Sequence, residues 1–232
     1  MNRSRIRNYC RGALAALALT PLAALAAGSA TINFSGETGQ IHWQDANTVR
    51  MDMEDEGHLL LKNQRLYAIN TAADDMPPVM DMTDMKEMIT GLVEGEHDAL
   101  SDLTAKIKSV SKTGANRTLA GIRGEVYEIT VVTGHGETET HEAVLTSDPI
   151  VTELTEAYFG VMGTFTGAEH LDKLKAALPA GKQGILQLSD SFEVQSLERA
   201  APAGVFELPA EPVSFGGMMQ DMMKEAMEQI GK

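Results

Sequence analysis

Cysteine is almost absent from this chain, and its absence limits how the protein can be stabilised. The one cysteine in 232 residues, Cys10, lies before an apolar run in an N-terminal stretch with the composition of a cleavable leader. We therefore expect a mature chain without thiols, which excludes disulfide bonds and cysteine nucleophiles. About 205 residues would remain, enough for one domain whose stability comes from burial of apolar side chains.

Positive charge is also scarce. The chain has 19 lysines and arginines against 33 aspartates and glutamates, a net charge of −14, and loss of the four leader arginines with no acid changes it to −18. A surface of this sign repels phosphate backbones and anionic lipid head groups. We therefore expect neither nucleic-acid binding nor simple electrostatic attachment to a membrane.

The sequence lacks the short motifs that identify common enzymes. It has no Gly-x-Ser-x-Gly elbow, no His-Glu-x-x-His and no phosphate-binding loop. Acid pairs such as Asp74-Asp75 fall in predicted loops with no candidate base beside them. We predict a non-catalytic protein with no catalytic residues and no cofactor, although acids that are far apart in sequence leave hydrolysis open.

The N-terminus has the pattern of a secretory signal peptide. Four arginines precede an apolar run over 13–25, and small residues follow it. This order is typical of a signal peptide, and the apolar run is shorter than the roughly 20 residues of a membrane span. We expect removal of residues 1–27, with cleavage after Ala26 or Ala27, a periplasmic location and no integral membrane span in the mature chain. An uncleaved N-terminal anchor is the competing interpretation.

Strand patterns dominate the rest of the chain. The stretch 112–133 predicts two antiparallel strands that meet at residues 120–121, because apolar and polar residues alternate from 125 to 133. Residues 31–71 predict four or five further antiparallel strands with one apolar and one wet face, and Asn63-Gln64 suits a hairpin turn. Strands are also expected over 137–146, 185–188 and 192–199.

Apolar residues recur every three or four positions in several other segments, which predicts helices. These segments are 82–92, 100–110, 150–161, 171–178 and, after Gly216-Gly217, 218–230. Strands that alternate with helices in this order predict an α+β fold with one antiparallel sheet and helices on one face. The expected domain covers 28–215, and residues 216–232 form a methionine-rich amphipathic C-terminal helix.

Several short motifs resemble a secreted bacterial domain of unknown function that is similar to the LolA/LolB lipoprotein carriers. They are Asn47-Thr48-Val49-Arg50-Met51, Lys62-Asn63-Gln64-Arg65-Leu66-Tyr67, Lys112-Thr113-Gly114, Leu119-Ala120-Gly121, Glu125-Val126-Tyr127-Glu128-Ile129 and Phe206-Glu207-Leu208-Pro209. The resemblance covers residues 31–212 and implies a strongly curved half-barrel sheet, with helices on its concave face and acyl chains between them. The family often has a cysteine where this chain has Gly124, and Arg50 aligns only loosely with an arginine inside the carriers' cavity.

Apolar positions on the predicted elements define a candidate ligand site. Each candidate lies on the apolar face of its strand or helix, and a concave apolar pocket is the usual site for a small ligand. The predicted lining comprises Trp43, Val49, Met51, Leu59, Leu61, Leu100, Leu103, Tyr127, Tyr158 and Val161. We expect these residues to hold a lipid or acyl ligand between the sheet and a helical lid.

Methionine is frequent, with 14 in the chain, and forms two clusters. One comprises Met76, Met80, Met82, Met85 and Met88, and the other Met218, Met219, Met222, Met223 and Met227. Thioethers at these spacings bind Cu(I) in some proteins, pack adaptably against lipids or partners in others, and most often simply fill a helix face. The alternative functions are therefore docking of a protein partner through the C-terminal cluster and copper binding.

The histidines show no strong metal-ligand spacing. His135 and His141 flank an acidic hairpin that could chelate a metal, yet a solvated hairpin is the commoner outcome. The other four have no ligand spacing and are predicted to be surface residues: His42, His58, His97 and His170. We therefore predict no metal site.

Overall fold

A single large sheet dominates the structure. The computed structural model describes residues 27–53, 57–70, 76–83, 106–133, 136–166, 168–219 and 224. Within these ranges the strands are β1 (Gly28–Phe34), β2 (Glu37–Asp45), β3 (Thr48–Met53), β4 (Gly57–Lys62), β5 (Arg65–Ile69), β6 (Val79–Asp81), β7 (Lys106–Leu119), β8 (Ile122–Val132), β9 (Thr138–Thr146), β10 (Gly184–Leu188), β11 (Phe192–Glu198) and β12 (Val213–Ser214).

The strand order joins the two halves of the chain in one sheet. It is β12-β6-β5-β4-β3-β2-β1-β11-β10-β9-β8-β7. Strand β1 pairs with β2 on one side and with β11 on the other, so the N-terminal strands continue directly into the C-terminal ones. All neighbouring strands pair antiparallel except β12 and β6, which makes the sheet mixed. The predicted α+β class is confirmed, with sheet predominating.

Tight turns set the register of the hairpins. Asn63 and Gln64 have φ values of 53° and 63°, the two left-handed residues that a type I′ turn needs between β4 and β5. Ala120 and Gly121 turn β7 into β8 with φ values of 49° and 77°. Both predicted hairpins are confirmed, and residues 28–69 form five antiparallel strands as the alternation predicted.

Two helices lie against this sheet, α1 (Pro149–Thr166) and α2 (Ala168–Ala177), and both match predicted segments. Helix α1 begins after Asp148, whose Oδ1 accepts a hydrogen bond from Ile150 N at 3.1 Å. An aspartate cap followed by proline is a favoured helix start. The helix contacts β1, β2, β3 and β10. Gly160 permits this approach, because a Cβ there would lie 2.2 Å from the carbonyl oxygen of Ala46.

Apolar side chains are buried on both faces of the sheet. The main core lies beneath α1 and includes Ile32, Trp43, Val49 and Leu154, all at most 1% exposed. A second, smaller core is covered by Phe206 and Leu208 and comprises Leu60, Tyr67, Ile69 and Val79. The prediction of a wet second face is therefore wrong for β4 and β5, where consecutive apolar residues alternate between the two cores.

Other sequence predictions need correction or lie outside the described residues. Ile107 and Val110, predicted to end a helix, lie in β7. Gly216 and Gly217 lie within a helical turn over 215–219 rather than before it. The predicted leader, residues 84–105 and most of the predicted C-terminal helix lie outside the described ranges. In the part of the chain that is described, no helix combines the length and apolarity needed to cross a membrane.

Candidate ligand-binding site

A cavity of about 480 Å³ lies between the sheet and both helices. Strands β1, β8, β9, β10 and β11 form one side, and α1 and α2 form the other. Its apolar lining is Phe34, Ile129, Val131, Ala143, Leu145, Tyr158, Phe159, Leu174, Leu178, Ile185, Leu188 and Phe192. Pockets for small molecules typically have volumes of roughly 300–1,000 Å³ and predominantly apolar walls. The cavity has both properties.

The cavity runs from a buried apolar end to a polar, exposed end. Leu145, Ala143, His141 and Glu139 alternate along β9 and therefore follow one another along the same wall. Leu145 and Ala143 are fully buried, whereas the side chains of His141 and Glu139 are 37% and 51% exposed. This gradient suits a molecule with an apolar body and a polar end.

Aromatic rings form much of the wall beneath the helices. The ring of Tyr158 lies 5.4 Å from that of Phe192, 6.0 Å from Phe159 and 6.3 Å from Phe34, all in tilted orientations. Such tilted pairs are a favourable arrangement for aromatic rings. Burial raises the pKa of Tyr158 to about 12, so its hydroxyl is neutral at physiological pH. The rings of this wall are therefore uncharged.

His141 is held in place at the polar end. Its Nδ1 lies 3.2 Å from Ser189 Oγ and its Nε2 lies 3.3 Å from Glu139 Oε2, so both ring nitrogens have neighbours. His135, the other histidine of the predicted chelating hairpin, lies outside the described residues. Among the residues that are described, no three histidines, cysteines or acids are placed to hold a metal ion.

A polar depression of about 790 Å³ lies beside the cavity at the rim of the sheet. It is lined by Asn33, Ser35, Gly36, His141, Gln187, Ser189, Asp190, Ser191, Glu193 and Gln195. His141 and Ser191 line both spaces. The apolar cavity and the polar depression therefore meet at the turn between β10 and β11.

The predicted lining residues and the observed lining overlap at Tyr158. Leu59 packs against the main core, and Leu100 and Leu103 lie outside the described residues. The other six are buried within that core: Trp43, Val49, Met51, Leu61, Tyr127 and Val161. Contact between a ligand and these positions stays a prediction, and the cavity itself lies further along the sheet.

Tyr127 belongs to a network of polar side chains that links neighbouring strands, called the polar brace below. Its hydroxyl donates a hydrogen bond to Glu125 Oε2 at 2.9 Å, and the same carboxylate pairs with Lys112 at 3.0 Å and Lys182 at 3.5 Å. Hydrogen bonds from Lys112 and Tyr127 lower the pKa of Glu125. Burial, followed by the bond to Glu125, raises the pKa of Tyr127. The brace ties β7 and β8 to the loop after α2.

A second polar cluster, which the sequence analysis missed, lies on the face of the sheet opposite α1. Asp52 accepts a hydrogen bond from Arg50 Nε at 2.6 Å and lies 2.8 Å from His58 Nδ1 and 3.6 Å from His42 Nε2. Burial alone would raise the pKa of Asp52, but hydrogen bonds from His42 and Arg50 and the charges of Arg50 and His58 outweigh it and lower that pKa. Asp52 therefore stays ionised in this cluster.

The cluster also forms a hydrogen bond with the segment that covers the smaller core. Arg50 Nη1 donates to the carbonyl oxygen of Val205 at 3.3 Å. The prediction of a surface position is wrong for His42, which is 5% exposed, and His58 is also partly buried. Arg50 lies on this face and does not line the cavity. The cluster could have been predicted from the sequence, because alternation along adjacent strands places these polar residues on the same face of the sheet.

The methionines that are described occupy mixed environments. Met80 is 5% exposed, Met82 packs against the main core, and Met76 is 40% exposed. Met218 and Met219 are partly buried in the helical turn at 215–219. The remaining members of the two clusters lie outside the described residues: Met85, Met88, Met222, Met223 and Met227. Copper binding and partner docking through these residues stay predictions.

Comparison of the chain with protein-family models, curated proteins and solved structures found no match. The resemblance to the lipoprotein carriers stays a prediction from the sequence motifs. Function must therefore be inferred from the cavity, its polar rim and the sequence itself.

Proposed function

We propose that this protein is a periplasmic, non-catalytic binding module that holds a lipid or acyl chain between its sheet and its helices. The observation that carries the proposal is the 480 Å³ cavity, whose wall is apolar and aromatic and whose single polar end lies at the rim. Transfer of a hydrocarbon chain from water into such a space is favourable by about 0.8 kcal/mol for each methylene group. A chain of ordinary lipid length would therefore bind without any specific polar contact.

The fold that we propose in detail is a half-barrel with helices on its concave face, as in the LolA/LolB carriers. The position of α1 supports it, because this helix contacts β10, β1, β2 and β3, which include the middle of the strand order. Gly124, where the family often has cysteine, has a local reason in this chain. A Cβ at 124 would lie 2.5 Å from Val144 Cγ1, so packing between β8 and β9 favours glycine there.

The proposed location follows from the leader. A signal peptide over 1–27 would direct the chain across the inner membrane, and the mature protein would meet lipids and acylated proteins in the periplasm. Fractionation of the host, with N-terminal sequencing of the periplasmic product, tests this directly. The proposal predicts a mature N-terminus at residue 27 or 28, and a full-length cytosolic product would contradict it.

A blocking substitution tests the cavity. Val131 lines the cavity near its polar end, whereas Val132, the next residue of β8, projects from the other face of the strand. Val131→Trp should therefore fill the entrance, and Val132→Trp is the matched control. We expect binding of a fluorescent fatty-chain probe to the wild type and to Val132→Trp, with a loss of at least tenfold in Val131→Trp.

Thermal unfolding of the same proteins separates blocking from misfolding. If Val131→Trp unfolds cooperatively near the wild-type temperature and no longer binds, the cavity is the binding site. Equal binding by all three folded proteins would place the probe elsewhere, and no binding by the wild type would refute the proposed function.

A further inference from the structure

We infer that the ligand is a single-chain amphiphile whose head group donates hydrogen bonds and carries no negative charge. This inference rests on the proposed function, because it assigns the head-group end of the same cavity. Its basis is the junction, the place where the apolar cavity meets the polar depression. His141 and Ser191 line both the apolar cavity and the polar depression, so a chain in the first would place its head at the edge of the second.

The junction is held in one arrangement. Glu139 and Ser189 engage the two nitrogens of His141 at 3.3 and 3.2 Å. Ser189 N donates to the carbonyl oxygen of Glu142 at 2.7 Å, which fixes the turn between β10 and β11 to β9. The position of the polar rim relative to the apolar wall is therefore set by the sheet. An amphiphile with a polar group at one end of its chain matches this arrangement.

The charges around the rim favour a head group that is not an anion. Asp190 and Glu193 line the depression and form no ion pair with another residue of the described ranges, and Glu139 adds a third carboxylate beside His141. Among the described residues that line either space there is no lysine or arginine. Carboxylates and side-chain amides instead offer several acceptors to hydroxyl or ammonium groups.

One cation reaches the depression from outside, but its charge is already paired. Arg117 Nη1 donates to Gln187 Oε1 at 2.6 Å, and its Nη2 lies 2.8 Å from Glu142 Oε1. It therefore orients the amide of Gln187 and does not leave a free positive charge for an anionic head. At a separation of 4 Å in water, each unpaired carboxylate weakens binding of an anion by about fivefold. Discrimination against a carboxylate head should therefore be measurable.

Three ligands with a chain of twelve carbons test the inference: monolauroylglycerol, dodecylamine and laurate. Their affinities are measured at pH 8 by displacement of the fluorescent probe, below the critical micelle concentration of each. We expect monolauroylglycerol and dodecylamine to bind at least tenfold more tightly than laurate. Comparison of the first two distinguishes a hydroxylated head from an amine head.

A charge-removing variant shows whether the rim causes the preference. Asp190→Asn combined with Glu193→Gln removes two such repulsions and should improve laurate binding by more than fivefold, up to about 25-fold. The control, Glu207→Gln combined with Glu211→Gln, removes the same net charge from exposed positions that do not line either space, and it should leave the order unchanged.

The outcomes separate this inference from the proposed function. If laurate binds as tightly as the other two ligands and Val131→Trp abolishes binding of all three, the cavity binds chains but the head-group inference is wrong. If the preference persists unchanged in the rim variant, the rim does not cause it and the inference is also wrong. If none of the three ligands binds the wild type, both the inference and the proposed function fail.

Discussion

The volume of the cavity sets a limit on the length of chain that it can hold. A group of the size of a water molecule occupies roughly 30 Å³ in a liquid, so 480 Å³ accommodates on the order of 16 chain atoms. Each methylene moved from water into an apolar site contributes about 0.8 kcal/mol, equivalent to about a fourfold change in Kd. For a series of monoacylglycerols from C8 to C20, we therefore expect Kd to fall by about 15-fold for every two carbons and then to level off near C14 to C16.

Displacement of a fluorescent probe from the wild-type protein measures this series, with Val131→Trp as the blocked control. Two results would refute the reasoning. A Kd that does not depend on chain length would mean that the chain is not buried in the cavity. A Kd that keeps falling beyond C18 in both proteins would indicate association with the surface or with ligand aggregates, because carbons beyond the capacity of the cavity would stay in water.

Three substitutions test the packing and the charge arrangement that support the site. Gly160→Ala should destabilise the protein by about 1–3 kcal/mol in urea unfolding, because the new Cβ would meet the Ala46 carbonyl oxygen. Helix propensity alone predicts the opposite, a gain in stability of up to about 1 kcal/mol. A stabilised variant would therefore contradict this packing. Thr155→Val should cost about 1–3 kcal/mol, since Ile185 N loses a buried acceptor at 2.9 Å, and a neutral effect would show that β10 does not need this bond. Asp52→Asn should cost about 1–3 kcal/mol at pH 7. Because the pKa of Asp52 is lower in the folded state than its ordinary value of 3.8, the difference in unfolding free energy between the wild type and this variant should shrink as the pH falls below about 4. A difference that is equal at pH 7 and pH 3 would refute the charge assignment.

Much of the sheet could be predicted from the sequence because its strands carry local signals. Turn residues with left-handed backbone at Asn63 and Gln64 separate two apolar runs, and alternation marks the strands on either side of residues 120–121. The stripe from Ile150 to Val161 likewise predicted α1, since an amphipathic helix has to bury one face. In these segments the local pattern and the tertiary structure agree.

The errors arose where one pattern is compatible with two structures. Ile107 and Val110 are three residues apart, as on a helix face, but they belong to an edge strand whose residues 111–118 are exposed and mostly polar. An edge strand packs few of its side chains against the core, so its sequence shows little alternation of apolar and polar residues. In β4 the run Leu59-Leu60-Leu61 has no single apolar face, because the structure buries Leu60 on one side and Leu61 on the other.

The cavity could not be located from the sequence because it depends on how the strands and helices meet. Trp43 and Val49 have the same apolar character as the residues of the cavity wall, but α1 lies directly against their part of the sheet and fills that space. Further along, β8 to β10 and α2 leave a gap. Only the strand order and the position of α1 distinguish a filled region from an open one, and neither is encoded in a short window of residues.

The most direct test of the account is a methyl NMR titration of the protein with monolauroylglycerol. Ile129, Leu174 and Ile185 line the cavity, whereas Val49 and Val161 are fully buried in the core beneath α1. The account predicts large chemical-shift changes and direct ligand contacts for the three cavity methyl groups, with little change at the two core positions. Ligand contacts at Val49 and Val161 without contacts at the cavity residues, or no shifts at any of the five, would contradict it.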